Sequence, residues 1–334
     1  MLPDVSGWSA DEMEAILTDV SVWEKPVRKI AEREGVCIEQ LVPGFPASSA
    51  VFTLNRTYVL KIFTPLFYPE RHVESELLRA LESIEEVPSP RVRSEGVLSD
   101  KIEWPYLILD HIPGIALREL LPTMSPEVLT DVAAQLGLVV RAIHTTDTTP
   151  FETIRSAQRD GASLLSELRL GAKEAMQRLV ALDKGARACL SSRAFAELES
   201  LFVSTHLFEP DQPLALVNGD LTEDHLFLIQ AEGRWSISGL IDFADACVGP
   251  RELDWHDLRF CMFDGNTQAM RAFWHAYDSQ LVIDDAYCRK CMLYSLANGH
   301  WFEMIQPTLR ECGRSRLNSL EELQEELWPR GLWS

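Results

Sequence analysis

Short runs of apolar residues, separated by turns rich in Gly, Ser and Asn, occupy the first part of the chain. Three of them, IEQLVPG, SAVFTL and TYVLKIF, are typical of β-strands and predict an antiparallel meander. A helical periodicity follows at Val73, Leu77, Leu78 and Leu81, and VPSPRVRSEGVL and WPYLILDHI then predict two more strands. The pattern therefore predicts a small sheet with one helix inserted after its third strand.

Helical patterns flank this sheet on both sides. A helical preface is predicted over residues 9–34, before the first strand. The breaker sequence IPG at 112–114 indicates a domain boundary, and beyond it the periodicity is mostly helical, most clearly where Ser125 caps a helix. We therefore expect an α+β fold with two domains, residues 1–111 and 112–334.

Composition and net charge limit the kinds of molecule that the protein is expected to bind. The chain has 334 residues, of which 46% are hydrophobic and 25% are charged, as in ordinary soluble globular proteins. Its formal net charge of -20 argues against nucleic acid or an anionic membrane as a partner, because both would be repelled. It favours a cationic ligand, although a solvated acidic surface also explains it. The acidic N-terminal segment and the lack of a long apolar run predict a soluble cytoplasmic protein, either a monomer or a homodimer.

The cysteines do not suggest a disulfide framework. There are seven, an odd number scattered along the chain, which is typical of reduced thiols in the cytosol. Cys288 and Cys291 form one CxxC, but a zinc site needs a second ligand pair, and the surrounding AYCRKCMLYSLA predicts one continuous helix. We therefore expect these two to be ordinary core or surface thiols.

Lys61 lies in the middle of the apolar strand TYVLKIF, which predicts burial on both faces. An unpaired buried ammonium costs several kcal/mol, so the lysine needs a carboxylate or a phosphate beside it. Glu76, on the helix that follows, is the predicted partner. The alternative is an edge strand from which the lysine reaches solvent.

Three more segments carry chemistry. NGDLTEDH, residues 218–225, places three carboxylates between the apolar runs LALV and LFLI, and it is too long for a simple Asn-Gly hairpin. Asp242 follows the apolar strand GLI, where a rigid element holds a carboxylate accurately. The turn containing Gly44, Ser48 and Ser49 has a composition that lets backbone amides approach an anion.

In chain order, these features are an anion-binding turn, a strand lysine, a helix glutamate, a boundary, a loop aspartate and a strand-end aspartate. Phosphoryl transfer needs this set: a cation on the phosphates, an acid that positions the cation, a carboxylate beside the acceptor hydroxyl, and ligands for magnesium. The set as a whole is therefore more specific than any one of its members.

The motifs VLKIF, ESELLRAL, NGDLTEDHLF and GLIDFADACVGPRELD resemble those of the aminoglycoside phosphotransferases, relatives of the protein kinases, and are most similar to those of the hygromycin B phosphotransferases. The resemblance covers nearly the whole chain. It implies a bilobal protein-kinase-like α+β fold, with a small antiparallel sheet and one helix in the N-terminal lobe and a large, mostly helical C-terminal lobe.

The resemblance also assigns roles to residues. It implies that Asp220 is the catalytic aspartate, that Lys61 and Glu76 are the paired lysine and glutamate of the nucleotide site, and that Asp242 binds magnesium. It places the adenine against the backbone around residues 110–112, between Asp110 and Ile112. The cofactor implied is ATP or GTP with Mg²⁺.

Two positions depart from the family pattern. Asn218 stands where the family usually has histidine, and its amide still orients the loop by a hydrogen bond. His225 stands where the family has a magnesium-binding asparagine. An imidazole suits manganese or zinc better than magnesium, so His225 and Asp242 predict a metal site whose preference differs from that of the family and extends to Mn²⁺. A second interpretation is that His225 leaves the site without transfer activity.

The expected acceptor is a hydroxyl of a small cationic molecule. An aminocyclitol antibiotic such as hygromycin B is the first candidate, and its phosphorylation would confer resistance. The carboxylates expected to attract it are Glu223, Asp224, Asp245 and Asp257, although a solvated acidic rim explains them as well. The alternatives are a kinase of another compound, such as a macrolide, choline or an amino sugar, and a non-catalytic nucleotide-binding regulatory module.

Overall fold

The computed structural model describes most of the chain: residues 20–44, 49–64, 68–99, 101–149, 190–204, 213–297, 302–311 and 317–332, with single positions before residue 20 and at 174 and 177. The chain divides into two compact units. The first comprises Met1–Gly114 and Ser238–Ala246, and the second comprises Ile115–Ile237 and Cys247–Ser334. The segment around Asp242 therefore joins the first unit, whereas the sequence had placed it in the second domain.

An antiparallel sheet forms the centre of the first unit. Its described strands are β1 (Leu41–Pro43), β2 (Ser49–Leu54), β3 (Tyr58–Phe63), β4 (Val92–Ser99) and β5 (Glu103–Asp110), in the spatial order β1-β2-β3-β5-β4. The described helices that accompany it are α1 (Val20–Arg33) and α2 (Tyr68–Leu81). The meander, the two later strands and the helix after the third strand are confirmed.

Helix α1 packs on the sheet through an apolar face. Trp23 of α1 meets Trp104 of β5 edge to face, with ring centroids 5.4 Å apart, and both rings are fully buried. The helix begins where the Asp19 carboxylate accepts the N–H of Ser21, and it ends before Gly35, whose φ of +71° suits glycine. The later part of the predicted preface is confirmed, whereas residues 9–11, 13–15 and 18 lie outside the described residues.

Strand β3 lies inside the sheet, between β2 and β5. Lys61 on this strand is only 7% exposed, and its neighbours Leu60, Ile62 and Phe63 are fully buried. The alternative in which Lys61 reaches solvent from an edge strand is therefore wrong. A central position leaves the ammonium dependent on partners within the protein.

The second unit is mostly helical. Its described elements are β6 (Ile115–Ala116), α3 (Leu117–Leu120), α4 (Pro126–His144), α5 (Ser192–Ser204), β7 (Ala215–Val217), β8 (Leu226–Ala231), β9 (Arg234–Leu240, whose end passes into the first unit), β10 (Cys247–Gly249), α6 (Trp255–Asp257), a π-helical turn (Leu258–Met262), α7 (Thr267–Tyr277), α8 (Asp285–Ala297), α9 (Phe302–Glu311) and α10 (Leu320–Leu327). Strand β6 pairs with β8, and β7 pairs with β10. The α+β class, with a helical remainder, is confirmed.

Two helices of this unit follow their sequence signals closely. Ser125 caps α4 by accepting the N–H of Val128 at 3.4 Å, and Pro126 is its first residue. Cys288 and Cys291 are buried on α8, and the described residues contain no cluster of three or more side chains suited to a metal ion. The prediction of one continuous helix around this CxxC is confirmed. No described helix is both long and apolar enough to span a membrane.

Candidate active site

Lys61 is the centre of an ion-pair cluster in the first unit. Its Nζ lies 2.9 and 2.8 Å from the two carboxylate oxygens of Glu74, and 3.3 Å from Oδ1 of Asp242. Burial alone would lower the pKa of Lys61, but the charges of Asp242 and Glu74 outweigh it and raise the pKa. The ammonium is therefore charged throughout the physiological range and held at a fixed place.

The prediction that Glu76 holds Lys61 is wrong, because Glu74 occupies that place. Glu74 is 1% exposed, whereas Glu76 is half-buried. The reason is helical geometry. Glu74 precedes Leu77 and Leu78 by three and four residues, so it shares their buried face, whereas a residue two positions further on points elsewhere. The apolar periodicity contained this signal.

Asp242 has an unusual backbone conformation. It lies two residues beyond the end of β9 with a φ of +58°, a left-handed region that side chains other than Gly, Asn and Asp rarely adopt. Its Oδ1 accepts the N–H of Ala244 at 3.4 Å as well as the Lys61 contact. Such strain persists where surrounding contacts hold it, and here it fixes the direction of one carboxylate. Asp245, three residues later, is exposed.

The predicted anion-binding turn is described only at its two ends. Gly44 donates its N–H to the Val51 carbonyl at 2.7 Å, and a Cβ on Gly44 would lie 2.8 Å from Val51 Cγ1, so glycine is required for close approach. Ser49 is buried in β2, and Ser48 lies outside the described residues. The Gly44 amide is therefore used by the sheet, and the role of the turn stays a prediction.

The segment predicted to face adenine lies at the end of the same sheet. The Asp110 carboxylate pairs with the Arg93 guanidinium, and the His111 N–H donates to the Thr57 carbonyl at 2.9 Å. Ile112 packs its side chain against Gly239, where any larger residue would collide with it. These contacts make residues 110–112 a rigid edge.

In the second unit, the loop 218–225 is held through its backbone. The fully buried Asp254 accepts two of its amides, with Oδ2 3.0 Å from Asn218 N and Oδ1 2.8 Å from Gly219 N. The Asn218 side chain in turn accepts the N–H of Asp220 at 3.0 Å. Asp220 is therefore carried on a turn whose preceding backbone is anchored. Asn218 thus orients the loop by accepting a hydrogen bond, whereas the sequence predicted that its amide donates one.

Asp254 is itself fixed by a buried hydrogen-bond chain. His144 Nε2 lies 2.9 Å from Asp254 Oδ2, and His144 Nδ1 lies 3.0 Å from the Tyr277 hydroxyl. Burial raises the pKa of Tyr277 to about 12, so the phenol keeps its proton and donates to the imidazole. Sequence reasoning assigned Asp254 no role, although its place between apolar residues in RELDWHDL was a signal of a buried carboxylate with a purpose.

Asp257 is buried, so the solvated-rim interpretation of this carboxylate is wrong, whereas its role in acceptor binding stays a prediction. It is 1% exposed, and its Oδ2 accepts the N–H of Leu221 at 3.2 Å. It therefore anchors the loop just after Asp220, and it does not belong to a solvated rim. Its hydrogen bond to the Leu221 amide shows that Asp257 supports the loop.

The geometry of His225 places a hydrogen on its Nδ1. Its Nδ1 lies 3.0 Å from the Asp220 carbonyl oxygen, 3.1 Å from Thr222 Oγ1 and 3.4 Å from Asp220 Oδ2. A carbonyl oxygen only accepts, so Nδ1 carries the hydrogen that points into the loop. Histidines that bind metals are usually oriented in this way, with the other nitrogen donating to a carbonyl or carboxylate.

The other two predicted acceptor residues, Glu223 and Asp224, are engaged by Arg118 of α3. Its guanidinium lies 2.9 Å from Glu223 Oε1 and also pairs with the Asp224 carboxylate. The hydrogen bond to Asp224 raises the pKa of Arg118. The acidic tip of the loop is therefore partly neutralised within the protein.

Comparisons with known proteins agree on one family. The model of the family described as "Phosphotransferase enzyme family" matches residues 46–287. Viomycin phosphotransferase of Streptomyces vinaceus is 29% identical over 177 residues, which are 52% of this chain and 57% of that protein. The match thus spans a little over half the length of that curated relative.

Solved structures of aminoglycoside phosphotransferases share the fold. The GDP and kanamycin complex of APH(2")-IIIa has a TM-score of 0.66 at 19% identity, covering 86% of this chain and 98% of that one. The ADP and hygromycin B complex of a thermostable APH(4)-Ia mutant has a TM-score of 0.55 at 17% identity, covering 91% and 97%. The kinase-like fold is thus confirmed, whereas a special likeness to hygromycin B phosphotransferases is not.

Proposed function

Because the chain belongs to the phosphotransferase enzyme family, we propose that it transfers the terminal phosphoryl group of ATP or GTP to a hydroxyl of a small molecule. The observation that carries this proposal is the buried Lys61, held by Glu74 and Asp242. A buried cation with a fixed position is suited to nucleotide phosphates, and phosphoryl transfer depends mainly on positioning and charge stabilisation. We also propose that the enzyme is cytoplasmic, because its seven cysteines are scattered along the chain and odd in number.

Each residue has a distinct task in this proposal. Lys61 binds the nucleotide phosphates, and Glu74 keeps its ammonium in place. Asp220 accepts a hydrogen bond from the acceptor hydroxyl and takes its proton as the oxygen attacks phosphorus. Asp254 and Asp257 hold the loop backbone on either side of Asp220, so that the base does not need to be ordered during the reaction.

A divalent cation is implied by the family, and the donor groups present fit one. Asp242, in the first unit, would supply a carboxylate, and His225, in the second unit, is proposed as a further ligand on its residue type alone. Magnesium is usually bound through one or two carboxylates plus water and phosphate oxygens, so a small protein donor set is sufficient. When bound, such an ion neutralises charge on the transferred phosphoryl group.

Replacing His225 with Asn is expected to shift the metal preference towards magnesium while retaining activity. An imidazole nitrogen favours Mn²⁺ over Mg²⁺, whereas an amide oxygen suits Mg²⁺. The measurement is the ratio of kcat/KM with Mg²⁺ to that with Mn²⁺, for the wild type and the variant. An unchanged ratio would mean that the ring serves only the loop contacts to Asp220 and Thr222.

We propose a cationic antibiotic as the acceptor, and hygromycin B remains one candidate among the aminoglycosides and the viomycin class. The formal net charge of -20 supports a cationic ligand. The similar proteins also support a cationic antibiotic, since they include viomycin phosphotransferase and structures in complex with kanamycin and hygromycin B. Asp245 remains a proposed contact for its ammonium groups.

The test is an acceptor screen with both nucleotides. Kanamycin, hygromycin B, viomycin, a macrolide and choline are each incubated with ATP or GTP, and the products are identified by mass. Transfer of one phosphoryl group to an antibiotic hydroxyl supports the proposal. Nucleotide binding without any phosphorylated product would favour the regulatory module instead.

A further inference from the structure

Arg118 contacts the acidic tip of the loop in two different ways. Its backbone N–H donates to the Glu223 carbonyl at 3.1 Å, and its guanidinium pairs with both the Glu223 and the Asp224 carboxylates. Its side chain is 58% exposed, and that of Asp224 is 43% exposed. The backbone contact belongs to the fold, whereas the side-chain contact is open to solvent.

The loop is held without the guanidinium. Asp254 and Asp257 accept backbone amides around Asp220, and β6 pairs with β8 directly after the loop. The Arg118 backbone N–H remains whatever side chain stands there. Removing the guanidinium therefore changes the charge of the loop tip much more than its conformation.

The charge that the guanidinium offsets is concentrated near the catalytic aspartate. Burial raises the pKa of the Cys261 thiol, and the charges of Asp257, Glu223 and Asp220 raise it further, so these carboxylates act on one small region. Among the described residues, Glu223 Oε2 is buried without a hydrogen-bond partner, while Oε1 meets Arg118. Glu223 Oε2 can therefore accept a hydrogen bond from a further donor.

We infer that Arg118 is a specificity-determining residue, a built-in counter-ion of Glu223 and Asp224 that an ammonium group of the acceptor displaces. This inference rests on the proposed function for the identity of the acceptor. The pair between Arg118 and Asp224 is exposed and therefore weak, so it exchanges readily, whereas the Glu223 side chain, at 14% exposed, is mostly buried. An acceptor with an ammonium group can displace the Arg118 guanidinium and pair with the two carboxylates. A neutral molecule with the same hydroxyls cannot displace it, so the carboxylates stay paired with Arg118.

The test measures binding, which does not require turnover. Calorimetry gives the affinity of the protein for kanamycin and for its fully N-acetylated derivative, which keeps the hydroxyls but lacks the charges. Replacing Arg118 with Ala or Gln is expected to tighten kanamycin binding about three- to tenfold, the scale of one or two exposed ion pairs. The acetylated compound should show no gain, and Arg118→Lys should stay close to the wild type.

Two controls make the outcome specific. Arg193→Ala removes an exposed arginine that pairs with Glu197 on the same helix, so it changes the net charge equally and should not alter kanamycin binding. Adding Glu223→Gln and Asp224→Asn to Arg118→Ala should abolish the gain. Unchanged or weaker kanamycin binding by both the Ala and Gln variants, with thermal unfolding like the wild type, would overturn the inference. The acceptor screen separately decides whether the proposed phosphoryl transfer occurs.

Discussion

Replacing Asp220 with Asn is expected to lower kcat by about two to four orders of magnitude, the usual contribution of a positioned general base. The amide keeps the size of the side chain but cannot take the proton of the acceptor hydroxyl. Its backbone hydrogen bond to Asn218 is unaffected, so the loop should keep its conformation. Steady-state kinetics with the best acceptor of the screen, together with nucleotide affinity by calorimetry, provide the measurement.

The matched control for this variant is Asp131→Asn, which removes an exposed carboxylate from α4. It should leave kcat within about twofold, since surface substitutions away from special features have small effects. Asp220→Asn should also bind nucleotide like the wild type. Wild-type turnover by Asp220→Asn would show that another group accepts the proton.

Replacing Glu74 with Gln is expected to lower kcat/KM for the nucleotide about ten- to a hundredfold, the range of coupling energies for residues in one network. Loss of the charge leaves Lys61 with Asp242 as its described anionic partner, so the ammonium is less well fixed. Protein stability should also fall, because breaking a buried ion pair is destabilising by about 3–5 kcal/mol. Thermal unfolding and nucleotide kinetics test the two effects separately.

The neighbouring Glu76→Gln provides the matched control, since the two glutamates differ in helix face and not in chemistry. It should leave both measurements near the wild-type values. A double-mutant cycle of Glu74→Gln with Lys61→Met should show non-additive losses, because the two residues act as a unit. Additive losses would argue that Glu74 and Lys61 act separately on the nucleotide.

In the first unit, the sequence pattern predicted part of the ion-pair cluster around Lys61. The apolar neighbours of Lys61 predicted a buried lysine and hence a buried acid, and both are present. The error in choosing Glu76 was one of geometry, because only Glu74 has the spacing from Leu77 and Leu78 that puts it on the buried face. The apolar periodicity of this helix therefore distinguishes the two glutamates.

The residues that hold the loop 218–225 could not be predicted from local sequence patterns. Asp254 reaches Asn218 over 36 positions, and Arg118 reaches Asp224 over 106. Contacts at such separations depend on how helices and strands pack, which local propensity does not specify. The exposed-rim interpretation of Asp257 failed for this reason, since its charge was visible in the sequence while its burial was not.

The assignment of Ser238–Ala246 to the first unit makes that unit discontinuous along the chain. A fragment ending at Gly114 would lose the Leu240 amide that donates to the Pro88 carbonyl, the Gly239 surface beneath Ile112, and one of the two carboxylates on Lys61. The smallest fragment that keeps these contacts is therefore the N-terminal segment joined by a linker to Ser238–Ala246. Genetic truncation, domain exchange and recombination between relatives should accordingly treat the two stretches as one inherited block.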